Sequence, residues 1–261
     1  MKRLFGVVAF VAALLVVDSA PNASDRTSIR YKVSLGNLSV GTAGLDLAVN
    51  ATSYSAAFAG RVTGIANLFS NARAEATANG RIGSRYLVPA SFNASVNAGR
   101  ERRTVGIRYG GGNISSLSVN PPFPPDDDRI PVTSSHQRNV TDPVSGLVVP
   151  APSRFTSSAA CNATLPIFDG RSRYDIVLSP ARMEILTIGG VQIQAAVCNV
   201  SFRPIAGVRE SVRNGRSRPA QVWLARTIDG RLLAPAQFVG QSRVGTFRIL
   251  ADSGDAFIAG Q

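Results

Sequence analysis

Histidine is almost missing from this chain. His136 is the only one in 261 residues, and Cys161 and Cys198 are the only cysteines. So few imidazoles and thiolates cannot furnish an ordinary zinc site. A Ser/His/Asp triad would have to run through His136, which lies in a polar, proline-bounded loop, and no Gly-x-Ser-x-Gly elbow is present. Lysine is as scarce: of 28 basic residues only Lys2 and Lys32 are lysines. Such an excess of arginine can arise from GC-rich codon usage without selection for binding. Aromatic residues make up 7% of the chain, too few stacking partners to suggest single-stranded nucleic acid. Beyond Val17 no apolar run approaches the roughly 18 residues of a transmembrane helix. Carboxylates do not form a glycosidase-like pair, because Asp126, Asp127 and Asp128 are contiguous and are expected to repel one another in a hydrated loop. No cofactor is expected.

What is present begins with Met1-Lys2-Arg3 followed by a nearly uncharged run from Leu4 to Val17. That is the two-part pattern of a secretory signal, too short to span a bilayer. Residues 1–23 are therefore read as a signal peptide and residues 24–261 as one β-rich domain. Cleavage is placed between Ser19 and Asp25, since Pro21 would block cutting after Ala20. No cysteine follows the run, which argues against a lipoprotein anchor. In an exported protein two thiols meet an oxidising compartment, so Cys161 and Cys198 are expected to form one structural disulfide. The chain-entropy model assigns the loop they would close about 4 kcal/mol.

Alternation of period two dominates the rest. Ile29, Tyr31, Val33 and Leu35 alternate with Arg30, Lys32 and Ser34; Leu45, Leu47 and Val49 repeat the pattern, as do Tyr54, Ala56 and Phe58. Gly64 to Phe69 has the spacing of a short helical turn. Hairpin turns are predicted at Asn79-Gly80, at Gly110 to Asn113, and at Asp169-Gly170, Gly189-Gly190, Asn214-Gly215 and Asp229-Gly230. The proline-rich, acidic stretch 121–128 breaks the sheet as a solvated loop. Asp142-Pro143 offers an N-cap with proline at the first helical position, and Val144, Leu147 and Val148 share one face of a short helix. Residues 150–161 are read as an irregular link. Some dozen strands with few helices imply one curved antiparallel sheet, a barrel or a twisted sandwich.

The formal charge of +12 suits either solubility or attraction to an anionic surface or partner. Two arginine groups are candidates for such a patch through bidentate contacts: Arg100, Arg102 and Arg103 with Arg108, and Arg209, Arg213 and Arg216 with Arg218.

Asp142-Pro143-Val144-Ser145, then Phe168-Asp169-Gly170-Arg171 with Tyr174-Asp175, then Cys198 with the run Phe202 to Gly207 resemble an uncharacterised exported bacterial family, domain of unknown function 3108. The resemblance runs from about Ile29 to about Asp252. It implies the periplasm of Gram-negative bacteria and a broken or spiral β-barrel like the lipoprotein-carrier and envelope-integrity folds, with an apolar groove and a short helix at its mouth. It brings no activity with it. Asp142, Ser145, Asp169, Arg171, Tyr174 and Asp175 become candidate binding residues, although turn chemistry and an Arg173–Asp175 strand pair also account for the second motif. The reading is a non-catalytic periplasmic binding or scaffold protein supporting the cell envelope, holding a lipid or a segment of an envelope partner protein in a concave β groove. An envelope hydrolase using Asp169 and Asp175 is the alternative, and oligomeric state is left open.

Overall fold

Alternating burial builds this wall strand by strand. In β1 (Asp25–Leu35) Thr27, Ile29 and Tyr31 are buried while their neighbours face solvent, and Ile29 and Tyr31 lie opposite Leu45 and Ala43 of β2 (Leu38–Val49). The computed structural model describes residues 25–63, 71–99, 101–214, 218–242 and 244–260. The signal peptide expected at residues 1–23 and the helical turn expected from Gly64 to Phe69 lie outside the described residues.

The meander continues through β3 (Ser53–Val62), β4 (Arg73–Ile82), β5 (Leu87–Ala98), β6 (Glu101–Gly110) and β7 (Asn113–Asn120). After a long crossing segment come the short β8 (Val149–Pro150), helix α1 (Ser157–Cys161), β9 (Ala163–Phe168), β10 (Arg173–Ile188) and β11 (Val191–Ala206). Helix α2 (Glu210–Arg213), β12 (Ala220–Arg226), β13 (Leu232–Ser242) and β14 (Gly245–Ala251) complete the chain. All strands join one 14-stranded antiparallel sheet in the order β7 to β1, then β14 to β9, with β8 attached to β13. The expected single curved β sheet with one or two short helices is found, with two short α-helices and an unclosed barrel among the described residues. Its free edges are β7 and β9.

Residues 121–162 span that gap. Val140 N–H donates to the Gly112 carbonyl at 3.0 Å, and Thr141 N–H to that of Pro166 at 2.8 Å, so one short stretch stitches the two edges. The segment then turns into the core, where Val144 and Val148 are buried with Ile29 and Leu45, and β8 pairs with the start of β13. Cys161, at the end of α1, is disulfide-bonded to Cys198 of β11, as expected. Around it β11 and β12 are buried on both faces, since residues 195–198 and 222–225 are consecutively buried.

Several local expectations are corrected. Asn79-Gly80 makes no hairpin; it lies within β4, where the pairing with β5 shifts register. Gly80 is needed for close approach, since a Cβ there would stand 2.2 Å from the Val88 carbonyl oxygen. The helix expected after Asp142 shrinks to the single 3-10 turn Ser145–Leu147, of which Ser145 is buried while Gly146 and Leu147 line an apolar cavity. The link 150–161 is more ordered than expected, since Thr156 accepts the Ala159 N–H and so caps α1. Asn214 ends α2 instead of opening a hairpin, and Gly215 is outside the described residues. The turns at Gly111-Gly112 and Gly189-Gly190 form with positive φ at both glycines, as tight hairpins require.

Replacing both Cys161 and Cys198 by alanine frees α1 from the wall. In urea denaturation the double variant is expected to lose about 2–5 kcal/mol, whereas the wild type in reductant should approach the same value. Gly80→Ala should cost about 1–3 kcal/mol in the same assay through overpacking against β5.

Candidate functional site

Direct cross-strand pairing sets the inner face of the sheet. Leu45, Phe58, Ala76, Ala94 and Val105 form one row across β2 to β6, and Ala43, Gly60, Ala74, Val96 and Arg103 form the next. Alanine and glycine fill so much of these rows that the side chains cannot pack the interior. Two adjoining apolar lobes result. The first has a volume of about 410 Å³ and is lined by Tyr31, Ala43, Ile176, Leu178, Val222 and Phe238, among others. The second, of about 670 Å³, runs along Ala74, Ala76, Ala94 and Val105 toward the β5–β6 turn. Phe58, Pro143, Leu147 and Ile249 line both, so the lobes form one trough.

Few polar groups face the first lobe. The Tyr31 hydroxyl donates to the Pro235 carbonyl at 2.9 Å, and burial raises its pKa. Tyr174 packs its ring against Phe202 with centroids 5.1 Å apart; burial, then the charge of Asp169, raises its phenol.

The far end of the second lobe is basic. Phe123, projecting from the proline-rich stretch, has the guanidinium groups of Arg103 and Arg171 stacked over its ring at 4.6 and 4.5 Å. Arg129 and Arg209 bind the Asp126 carboxylate at 2.9 and 3.2 Å, and Arg171 approaches it at 3.8 Å. Desolvation opposes ionisation of Asp126, yet hydrogen bonds from Arg129 and Arg209 hold it below the ordinary carboxylate range. The expected hydrated acidic run is thus corrected at Asp126, which is largely enclosed by arginines, while Asp127 and Asp128 are exposed.

Behind the trough lies a buried polar chain. Asp142 accepts from the N–H groups of Val144 and Ser145 at 2.9 and 2.8 Å and from the Ser145 hydroxyl at 2.6 Å. With that proton committed, the Tyr54 hydroxyl donates to Ser145 Oγ at 2.5 Å. The Tyr109 hydroxyl is buried without a partner among the described residues, and burial, then the charge of Asp142, raises its pKa.

Residues 30–252 match the family described as Protein of unknown function (DUF3108). The chain belongs to that family. A solved β-barrel-like protein of the domain of unknown function DUF1849, from Brucella abortus, is similar in structure, with a TM-score of 0.46 and 8% sequence identity over 89% of this chain and 97% of that one. No curated protein matches the chain. Among the described residues no helix is long and apolar enough to cross a membrane, and no group of three or more His, Cys, Asp or Glu side chains converges on a metal position.

In this DUF3108 protein the candidate residues fall in three places. Asp142 and Ser145 meet in the buried chain. Asp169 caps the β9–β10 turn, accepting from Arg171 and Ser172 N–H at 2.8 and 2.6 Å, and Gly170 there has φ of 96°. Asp175 pairs with Arg173 at 2.6 Å on the face of β10 opposite Tyr174 and Ile176, which line the trough. Asp169 and Asp175 therefore do not converge. Arg102 donates to Ser95 and Arg213 pairs with Glu210 at 3.6 Å, so neither points into the mouth. Arg103 and Arg209 do gather there, and Arg100 and Arg216 lie outside the described residues. Sequence reasoning missed Phe123, Arg129 and Tyr54; an aromatic residue set among prolines, which has no strand to pack in, was the available signal for Phe123.

Burial is the leading influence on Asp142 and pushes its carboxyl from 3.8 up to about 6, against the lowering effect of the hydrogen bonds from Ser145 and Val144. A folded-state value above the ordinary one means that the folded protein binds this proton more tightly than the unfolded chain. The resulting stability is complete below pH 3.8 and is lost as pH rises through about 6. Asp142→Asn, which keeps the acceptor oxygen, should remove this component. Between pH 3 and pH 8 the wild type is expected to lose roughly 3 kcal/mol relative to the variant in urea titrations; parallel pH profiles would contradict the assignment.

Proposed function

We propose that this protein is a non-catalytic binding protein of the bacterial periplasm that supports the cell envelope by holding an extended apolar ligand, a lipid tail, in the trough. The two-lobed apolar trough along an alanine-rich sheet face carries this reading. A peptide laid there would bring amide groups needing partners, and each unpaired buried group costs about 1–3 kcal/mol. The first lobe offers almost none, because the Tyr31 hydroxyl is already bonded to Pro235. A hydrocarbon chain asks for no partners and gains about 0.8 kcal/mol per buried methylene before ordering costs. The lobe volumes also lie in the range usual for ligand sites. The compartment rests on the leader and the disulfide. The non-catalytic character is supported by the occupied, separated carboxylates of Asp169 and Asp175.

Ala76→Phe places a ring in the second lobe without touching the core of β10–β13. The variant should melt within a few degrees of the wild type, yet bind the fluorescent probe N-phenyl-1-naphthylamine roughly tenfold more weakly, matching the loss of one or two buried groups. Solvent extraction of the wild-type protein purified from its native envelope should release an acyl-chain compound by mass spectrometry. A protein that yields no such compound and does not bind the probe is not a lipid-holding protein.

A further inference from the structure

Three guanidinium groups gather around one carboxylate at the mouth of the trough, and a fourth lies beside them. Arg129, Arg171 and Arg209 all approach Asp126, and Arg103 joins Arg171 on the Phe123 ring. The other carboxylates nearby balance them only in part, although Asp169 and Glu101 also line the second lobe. Asp169 is held by its own turn, Asp127, Asp128 and Glu101 are exposed to water, and Glu75 projects from the alternate face of β4 to Ala74 and Ala76. Three of the four arginines, Arg103, Arg129 and Arg171, line the second lobe directly, next to Val96 and Val105. Partial burial, then the charge of Arg129, with Arg103 and Arg209 adding to it and only Asp126 opposing, makes the Arg171 proton easier to remove than usual. Crowding by like charges thus adds to the larger effect of burial.

Two of these cations have free hydrogen-bonding capacity. Arg103 uses its Nε to reach the Pro121 carbonyl at 3.1 Å, and its guanidinium carbon lies over the Phe123 ring at 4.6 Å. Arg171 touches Asp126 only at 3.8 Å, longer than a hydrogen bond. A guanidinium stacked on an aromatic ring keeps its edge N–H groups free in the plane, which suits a bidentate carboxylate or phosphate. One continuous site therefore offers hydrocarbon walls along its length and a cluster of arginine side chains at one end.

We propose that the ligand is an anionic amphiphile: its acyl chain lies along the Ala74–Ala76–Ala94 wall past Phe58 and Leu147, and its carboxylate or phosphate head sits on Arg103 and Arg171 beside Phe123. The assignment rests on the trough being a lipid-tail site and adds the head-group chemistry and the direction of the chain. Phe123 is then a positioning residue that holds the two guanidinium groups at the lobe's end.

Three probes with the same alkyl chain separate these statements: dodecanoate, dodecyl phosphate and dodecanol, each titrated into the full-length mature protein in competition with N-phenyl-1-naphthylamine at pH 8. At least one anionic probe should bind roughly ten- to a hundredfold tighter than dodecanol, the range of one or two charge-assisted hydrogen bonds. Whichever anion is preferred identifies a carboxylate or a phosphate source. Arg103→Gln with Arg171→Gln should reduce the anion to the affinity of dodecanol and leave dodecanol unchanged. Should the double variant melt early, Arg103→Gln alone must still narrow the gap, and raising salt on the wild type must narrow it too. Equal binding of all three probes, unaffected by these variants, overturns the head-group assignment and leaves the tail site standing. Failure of all three to displace the dye removes the tail site itself.

Discussion

Tyr31 faces Ala251 and Leu35 faces Phe247, and this short ladder between the first and last strands governs the rest of the architecture. Without it the chain would be two separate meanders, β1 to β7 and β9 to β14. With it there is one wall, and its two loose edges belong to strands that follow one another along the chain, apart from the crossing segment. That segment must bridge the gap, so residues 121–162 enter the interior, and the stretch just after β7 falls against the β9–β10 turn and the end of β11. Antiparallel order also places alternate connections on the same rim. The β5–β6 turn and the β11–β12 connection share that rim, which is how Arg103 and Arg209 converge on the 121–128 stretch from opposite halves of the sequence.

A wall lined by Ala43, Gly60, Ala74, Ala76 and Ala94 buries little on its inner side, so stability has to be concentrated elsewhere. It is found where β11 and β12 are covered on both faces and where Val144, Val148 and Phe257 pack with Ile29 and Leu45. The disulfide joins α1 to this densely packed region, at a distance from the alanine rows. Packing and capacity are separated for the second lobe only, since Leu165, Leu178, Val222 and Leu224, which line the first lobe, belong to the buried cluster around the disulfide.

Much of the fold was legible in the chain because β alternation is a local signal. Ile29 to Leu35, Tyr54 to Phe58 and Tyr174 to Leu178 could be read directly, and glycine pairs marked two hairpins. Asn79-Gly80 misled because the same pair of residues serves a turn or a bulge, and only the Val88 carbonyl on the neighbouring strand decides between them. Asp142 misled in a related way. Its capping chemistry is real, but burial against Tyr54 allows only one 3-10 turn before the chain must reach β13. The site was less legible than the fold. A trough is made by side chains that are small, and nothing in an alternating Ala/Ser/Asn strand distinguishes a roomy interior from a weak strand. Arg103, Arg171 and Arg209 were visible as basic residues, but their gathering around Phe123 and Asp126 depends on closure between β1 and β14, a contact that spans the whole sequence.

The stitched seam between β7 and β9 has one more consequence. A closed barrel has a fixed girth, because widening it would break a complete ladder. Here, among the described residues, the β7 side is tied to the crossing segment by the Val140 to Gly112 bond and the Asn139 N–H to Asn113 side-chain bond. Each is of the order of 1 kcal/mol. The girth of this wall is therefore set through the crossing segment, which is held to the β1–β7 half further inside by the Thr141 hydroxyl on the Leu87 carbonyl and by the Tyr54 hydroxyl on Ser145.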